Sequence, residues 1–167
     1  MLQDLISYSR YESPIGQILS FYNDNILCLL DFTDCQDRWG KLLKRRFPNL
    51  LLEEVSGLSD LDMRLDDYFS KSPTAFDDLA MDTGGTDFQK QVWAALCKVP
   101  FGSKETYSSM ASIIGKPKAV RAMAAANALN PISIVIPCHR IVGKDGSLTG
   151  YGGGLKRKKS LLLHEQL

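Results

Sequence analysis

Ser108-Ser109-Met110-Ala111-Ser112-Ile113-Ile114, the turn Gly115-Lys116-Pro117, and Lys118-Ala119-Val120-Arg121-Ala122-Met123-Ala124-Ala125-Ala126-Asn127-Ala128-Leu129 decide the fold of the second half of this 167-residue chain. A short helix, a tight glycine-containing turn and a longer helix make a helix-turn-helix. In the second helix Ala119, Ala122, Ala124, Ala125, Ala126 and Ala128 are interspersed with Lys118 and Arg121. Small side chains let a helix backbone come close to another surface, whether a nucleic acid or a neighbouring helix, and part of the face must serve the latter. Arg121, beside the turn, is placed to reach outward; a solvated surface arginine is the alternative.

The flanks extend this reading. Upstream, Thr86 caps a helix and Gln89 stands three residues on, a capping box, with Phe88, Val92, Trp93 and Leu96 as the buried stripe. Downstream, Asn130-Pro131-Ile132-Ser133-Ile134-Val135-Ile136-Pro137-Cys138-His139-Arg140 carries a β-branched run that reads as a buried strand delivering a cysteine. A thiol reacts as thiolate, and its pKa of about 8.5 falls beside a cation or a histidine, so His139 and Arg140 are suited to activate Cys138. Neighbouring strand residues point to opposite faces, so contact between Cys138 and His139 needs a bend or a bridging water, and the water is favoured. His139 also needs a carboxylate to fix its tautomer and stabilise its imidazolium. Of the four acidic residues after residue 84, Asp87 and Asp145 suit a cap and a turn and Glu105 a loop. Glu165 remains, following Leu161-Leu162-Leu163 on a C-terminal helix that docks on the core. Between Cys138 and that helix lie the hairpin-like turn Gly143-Lys144-Asp145-Gly146 and the loop Thr149-Gly150-Tyr151-Gly152-Gly153-Gly154. Such a loop wraps a planar ligand with backbone amides and an aromatic wall, and its spacing fits no phosphate loop.

The first half reads as α/β. Tyr8 to Ser13, Ile18 to Tyr22 and Ile26 to Phe32 form three antiparallel strands separated by Ser13-Pro14-Ile15-Gly16 and Asn23-Asp24-Asn25. Residues Asp34 to Phe47 carry Trp39, Leu42, Leu43 and Phe47 at helical spacing, and Leu58 to Phe69 repeats the pattern with Leu61, Leu65 and Phe69. Ser70 to Thr86 is the most linker-like stretch. Cut near Gly84, the chain separates by charge: residues 1 to 84 hold 8 Lys/Arg against 15 Asp/Glu, and residues 85 to 167 hold 12 against 4. An acidic domain (1–84) joined to a basic one (85–167) points to a polyanion partner for the latter. Cys28, Cys35, Cys97 and Cys138 are spaced as neither a disulfide ladder nor a zinc site, and Cys28 reads as a buried strand residue. No apolar run reaches the roughly 20 residues of a membrane helix, and Met1 to Tyr8 lacks the character of a secretory signal, so a cytoplasmic (or, in a eukaryote, nuclear) location without membrane contact is expected.

Pro137-Cys138-His139-Arg140, with Asn130-Pro131 before it and Tyr151-Gly152-Gly153-Gly154-Leu155 and His164-Glu165 after it, resembles the O6-alkylguanine-DNA alkyltransferases. The likeness continues through Gly85-Thr86-Asp87-Phe88-Gln89, Val92-Trp93, Gly102, Tyr107 and Lys118-Ala119-Val120-Arg121-Ala122, and more weakly into the first half at Ser13-Pro14-Ile15-Gly16. It implies a ribonuclease H-like first domain and a mainly helical second domain. It further implies a stoichiometric reaction in which Cys138 accepts the alkyl group of O6-alkylguanine after the nucleotide is flipped out of double-stranded DNA, and it leaves open whether O4-alkylthymine is a second substrate. His139 would deprotonate Cys138 through a water, Glu165 would orient His139, and Asn130 would tie the strand to the helix-turn-helix. Arg121 would fill the gap in the duplex, Tyr107 would press on the adjoining phosphate and donate to guanine, and Lys118, Ala119 and Ala122 would contact DNA in the minor groove. Tyr151, Gly152, Gly153, Lys158 and Arg140 would form the base-binding set. The resemblance implies a monomer with no metal and no organic cofactor. Gly152 stands where the family commonly has serine or alanine, and Lys144 where it has a small polar residue, which leaves the accepted alkyl size open. Zinc ligands found in some relatives and a four-cysteine regulatory domain are missing, as in the free-standing repair form.

Two other readings compete. An alkyltransferase-like damage sensor would bind without reacting, but such proteins lack the cysteine. A cysteine hydrolase built on Cys138, His139 and Glu165 would leave the basic half and the helix-turn-helix unused.

Overall fold

A computed structural model describes residues 2–56 and 59–166. It divides into two compact units, Met1–Gly84 and Gly85–Leu167. No helix among the described residues is long and apolar enough to cross a membrane.

In the first unit β1 (Asp4–Ser13), β2 (Gly16–Asn23) and β3 (Ile26–Phe32) form an antiparallel meander. Asp24 and Asn25 have φ of 48° and 65°, the left-handed pair that a tight hairpin turn demands and that short polar side chains tolerate. A single 3-10 turn leads into α1 (Gln36–Arg46), which places Leu43 against Ile6, Leu19, Phe21 and Leu29 on one face of the sheet. The sheet then gains a strand that the pattern of the sequence does not reveal: β4 (Leu50–Glu54) runs parallel to β1, with Leu5 opposite Leu51. The expected purely antiparallel sheet is therefore mixed, in the order β3-β2-β1-β4. At an edge and mostly exposed, β4 needs no alternating apolar pattern, and that hides it. Tyr11 points to the face opposite Tyr8, where its hydroxyl donates to Asp66 at 2.6 Å on α2 (Asp60–Phe69) and its ring stacks on Phe69. The helix expected from Leu58 starts at Asp60, capped by Ser59, while Leu58 itself lies outside the described residues.

The stretch expected to be a linker is tied down. Met81 bridges Leu27, Asp82 N–H donates to Leu27 O at 2.8 Å, and Arg46 donates to Asp82 O at 2.5 Å. The two glycines that follow both have positive φ, but differ in their surroundings. A Cβ on Gly84 would meet the Arg46 side chain at 2.9 Å, whereas one on Gly85 would meet the Trp93 ring at 2.7 Å.

The second unit contains α3 (Asp87–Leu96), β5 (Glu105–Thr106), α4 (Tyr107–Ile113), α5 (Val120–Ala128), β6 (Ile141–Val142) and α6 (Leu155–His164). The expected capping box is present: Gln89 N–H donates to Thr86 Oγ1 at 3.1 Å and Thr86 N–H donates to Gln89 Oε1 at 2.9 Å. Val92, Trp93 and Leu96 are buried, while Phe88 is half-buried. Glu105, expected in a loop, pairs with Ile141 in a two-residue parallel ladder.

Residues 130–140 depart most from expectation. The β-branched run Ile132–Ile136 is fully buried yet forms turns, not a strand, and Cys138–Arg140 is one turn of 3-10 helix. Asn130 causes this: its Nδ2 donates to Ile136 O at 2.7 Å and its Oδ1 accepts from Ile132 N–H at 2.9 Å, closing the segment on itself. Ile134 sits at φ 70°, a left-handed conformation that no strand allows. Burial rewarded apolar composition here without requiring a ladder.

Candidate active site

The helix-turn-helix is held from behind by α3. Gly115, at φ 75°, reverses the chain after α4, and its N–H donates to Ser112 O while that of Lys116 donates to Ala111 O. Gln91 Nε2 donates to Ile114 O at 3.1 Å in the turn, and Trp93 Nε1 donates to Ala126 O at 2.9 Å in α5. Met123 and Ala126 therefore face the core, while Arg121, Ala122, Ala125 and Ala128 are exposed. One face of α5 thus presents small side chains and a single arginine, next to exposed Lys118 and half-buried Ala119 at the cap.

The Asn130 closure carries the chain from the end of α5 to Cys138, which is 4 % exposed. His139 is completely buried, and its Nε2 lies 2.7 Å from Glu165 Oε1. Arg140 grips the same carboxylate through Nε and Nη2, each at 2.9 Å, and donates from Nη1 to Val99 O at 2.6 Å. Burial alone would raise the Glu165 carboxyl, but the hydrogen bonds and charges of His139 and Arg140 outweigh it and hold the group well below the usual carboxylate range. An ionised Glu165 accepts the Nε2 proton, which fixes the neutral tautomer of His139 and leaves Nδ1 as acceptor. Nδ1 is buried without a hydrogen-bond partner in the protein. Burial pushes the His139 pKa below its ordinary 6.5, and the charges of Arg140 and Lys158 add to this against the pull of Glu165.

Lys158, fully buried on α6, donates to Ile141 O at 2.5 Å and to Thr149 O at 2.6 Å. It pins the glycine-rich loop to β6. Thr149 Oγ1 in turn donates to Tyr107 Oη at 3.2 Å, so the Tyr107 proton stays available to another acceptor. The Tyr151 ring stands edge-on to His139 with centroids 6.4 Å apart. A cavity of about 330 Å³ opens at this point, lined by Tyr107, Ala124, Asn127, Ala128, Cys138, Gly150, Tyr151 and Gly152. Its lining unites the thiol, the glycine-rich loop and the second helix of the helix-turn-helix. Gly153 is buried beside the cavity, with its carbonyl accepting from Arg157. Arg140 and Lys158, expected to touch substrate, lie behind the wall as supports. Gly150 falls in the loop read as a ligand wall, whereas sequence reasoning missed Ala124, Asn127 and Ala128 as cavity residues; their helical spacing, one turn behind exposed Arg121, is the signal that finds them.

The other thiols differ. Cys28, buried in β3, donates to Phe21 O at 3.3 Å, and burial pushes its pKa up to about 11. Burial likewise raises that of Cys97.

Two family profiles match the chain: the ribonuclease-like domain of 6-O-methylguanine DNA methyltransferase over residues 6–83, and the DNA binding domain of the same family over residues 87–167. A methylated-DNA–protein-cysteine methyltransferase of Methanosarcina barkeri is 44 % identical over 159 residues, covering 95 % of this chain and 96 % of that protein. One of Mycobacterium tuberculosis is 50 % identical over 158 residues, covering 95 % and 91 %. Among solved structures, Mycobacterium tuberculosis OGT in complex with DNA superposes with a TM-score of 0.81 at 36 % identity, covering 96 % of this chain and 92 % of that one.

Proposed function

Because this chain belongs to the 6-O-methylguanine DNA methyltransferase family, we propose that Cys138 is the residue on which it receives the alkyl group of O6-alkylguanine. The protein binds DNA and moves methyl groups from it to one of its own cysteines. The observation that carries the assignment to Cys138 is the buried His139, fixed by Glu165 on one side and with an unpartnered Nδ1 on the other, beside a thiol in a base-sized cavity.

The chemistry follows from that arrangement. Through a water, His139 Nδ1 takes the thiol proton, and Glu165 stabilises the imidazolium. The Cys138 sulfur attacks the alkyl carbon, the carbon–O6 bond breaks, and guanine gains a proton for which Tyr107 is the donor. A thioether remains, and no group in the cavity is suited to cleave it, so each molecule reacts once. A base inside a duplex is out of reach of a buried thiol, so the nucleotide must be extruded, at a cost of a few kcal/mol. Arg121 is placed to fill the gap, and the exposed Ala122 and Ala125 let α5 approach the minor groove closely.

Incubation with a duplex containing O6-methylguanine, followed by intact-mass analysis, tests the assignment. A gain of one methylene on the Cys138 peptide is expected, and Cys138→Ala should abolish the gain while duplex binding persists. A methyl group found on another residue would overturn the assignment. An unchanged mass with DNA retained would mark a sensor instead.

A further inference from the structure

Asn127 lies one turn before the Asn130 closure on α5, is 4 % exposed, and lines the same cavity as Cys138. Its Oδ1 is buried without a hydrogen-bond partner in the protein, and the mechanism above does not use it. An unpaired buried amide oxygen carries a desolvation penalty that a bound partner would relieve. The neighbouring wall residues Ala124 and Ala128 bring no polar group, and Gly150 and Gly152 bring only backbone. Asn127 is therefore the one side-chain amide facing an extruded base. An amide carries an acceptor and a donor on one pivot, and rotation by half a turn exchanges them.

We propose that Asn127 reads the extruded base and, by turning its amide, serves two substrates: Oδ1 accepts from the 2-amino group of O6-alkylguanine, and Nδ2 donates to O2 of O4-alkylthymine. The two bases present opposite hydrogen-bonding characters at this edge, an N–H donor on the purine and a carbonyl acceptor on the pyrimidine. A fixed carboxylate or hydrocarbon could not match both. The proposal rests on Cys138 being the alkyl acceptor, and it names the substrate class of that site.

The test measures second-order rates of Cys138 alkylation with three duplexes, containing O6-methylguanine, O6-methylhypoxanthine (the same base without its 2-amino group) and O4-methylthymine. Wild-type protein should methylate Cys138 from both O6-methylguanine and O4-methylthymine, and should lose about tenfold when the 2-amino group is removed, the value of one hydrogen bond to an otherwise unpaired group. Asn127→Asp, an acceptor without a donor, should retain O6-methylguanine and lose O4-methylthymine by tenfold or more. Asn127→Leu should slow both, and the penalty for removing the 2-amino group should vanish. Asn127→Asp is nearly isosteric, so its selective loss of O4-methylthymine decides the matter even if Asn127→Leu fails to fold. Equal wild-type rates with and without the 2-amino group, or no reaction with O4-methylthymine, would overturn the proposal while leaving Cys138 as acceptor. No mass gain from any duplex would instead remove the reading on which it rests.

Discussion

At the scale of single residues, the site turns on how one carboxylate is shared. Glu165 faces one permanent cation and one latent one: Arg140 holds it with two hydrogen bonds, and His139, in the proposed mechanism, becomes charged only when it takes the thiol proton. Burial chiefly keeps His139 neutral, and able to accept a proton, below its ordinary 6.5, and the charge of Arg140, which also positions Glu165, adds to this against the pull of the carboxylate. The acid limb of the alkylation rate should accordingly lie below pH 6.5 in the wild-type protein. In Arg140→Met, Glu165 acts on His139 alone, and the limb should move to higher pH. Rates with free O6-benzylguanine between pH 4.5 and 8 check this without DNA; an acid limb that stays in place would show that Arg140 acts only as a strut. The composition around Cys138 made both Arg140 and Glu165 visible as candidates, but whether Arg140 faces the substrate or the carboxylate depends on a 3-10 turn that no local pattern announces.

At the scale of elements, local signals were legible wherever they are chemically complete within a few residues. The Thr86–Gln89 box and the Gly115 turn satisfy their own backbone groups and appear as read. Thr86→Ala should lower stability by about 1 kcal/mol in urea denaturation, with little effect on the reaction of free base. The segment 130–140 misled because β-branched residues signal burial and strand alike; two asparagine hydrogen bonds between residues 130 and 136 settled it in favour of turns. β4 was hidden for the opposite reason, since an exposed edge strand imposes no pattern. The helix-turn-helix also separates recognition from chemistry. Arg121 is exposed on α5 and does not line the cavity, so Arg121→Ala should slow repair of duplex DNA far more than reaction with O6-benzylguanine. Parallel rate measurements on the two substrates decide this, and equal losses would place Arg121 in the chemistry instead.

At the scale of the whole molecule, acid should act first through the second unit. His139 and Glu165 both have folded-state pKa values below their ordinary 6.5 and 4.5, so the unfolded chain binds protons more readily than the folded one. Stability should hold above pH 6.5, then decline as pH falls, first through His139 and then through Glu165. Unfolding midpoints measured from pH 8 to pH 4 check the sign, and His139→Gln should flatten the upper part of the decline. The division of charge between the halves was plain in the sequence, and the positive balance lies in the unit that carries the cavity. Between those units stand Gly84 and Gly85, and they set unequal terms for inheritance. At Gly84, with φ 59°, asparagine or aspartate suits the backbone, but a side chain there presses on Arg46, whose guanidinium holds the Asp82 carbonyl. At Gly85, with φ 85°, any side chain strikes an indole that is hydrogen-bonded to the second helix of the helix-turn-helix. Substitution at the first position disturbs a tie within the first unit, while at the second it pushes on the tryptophan that braces α5, so a single peptide bond separates two different kinds of damage.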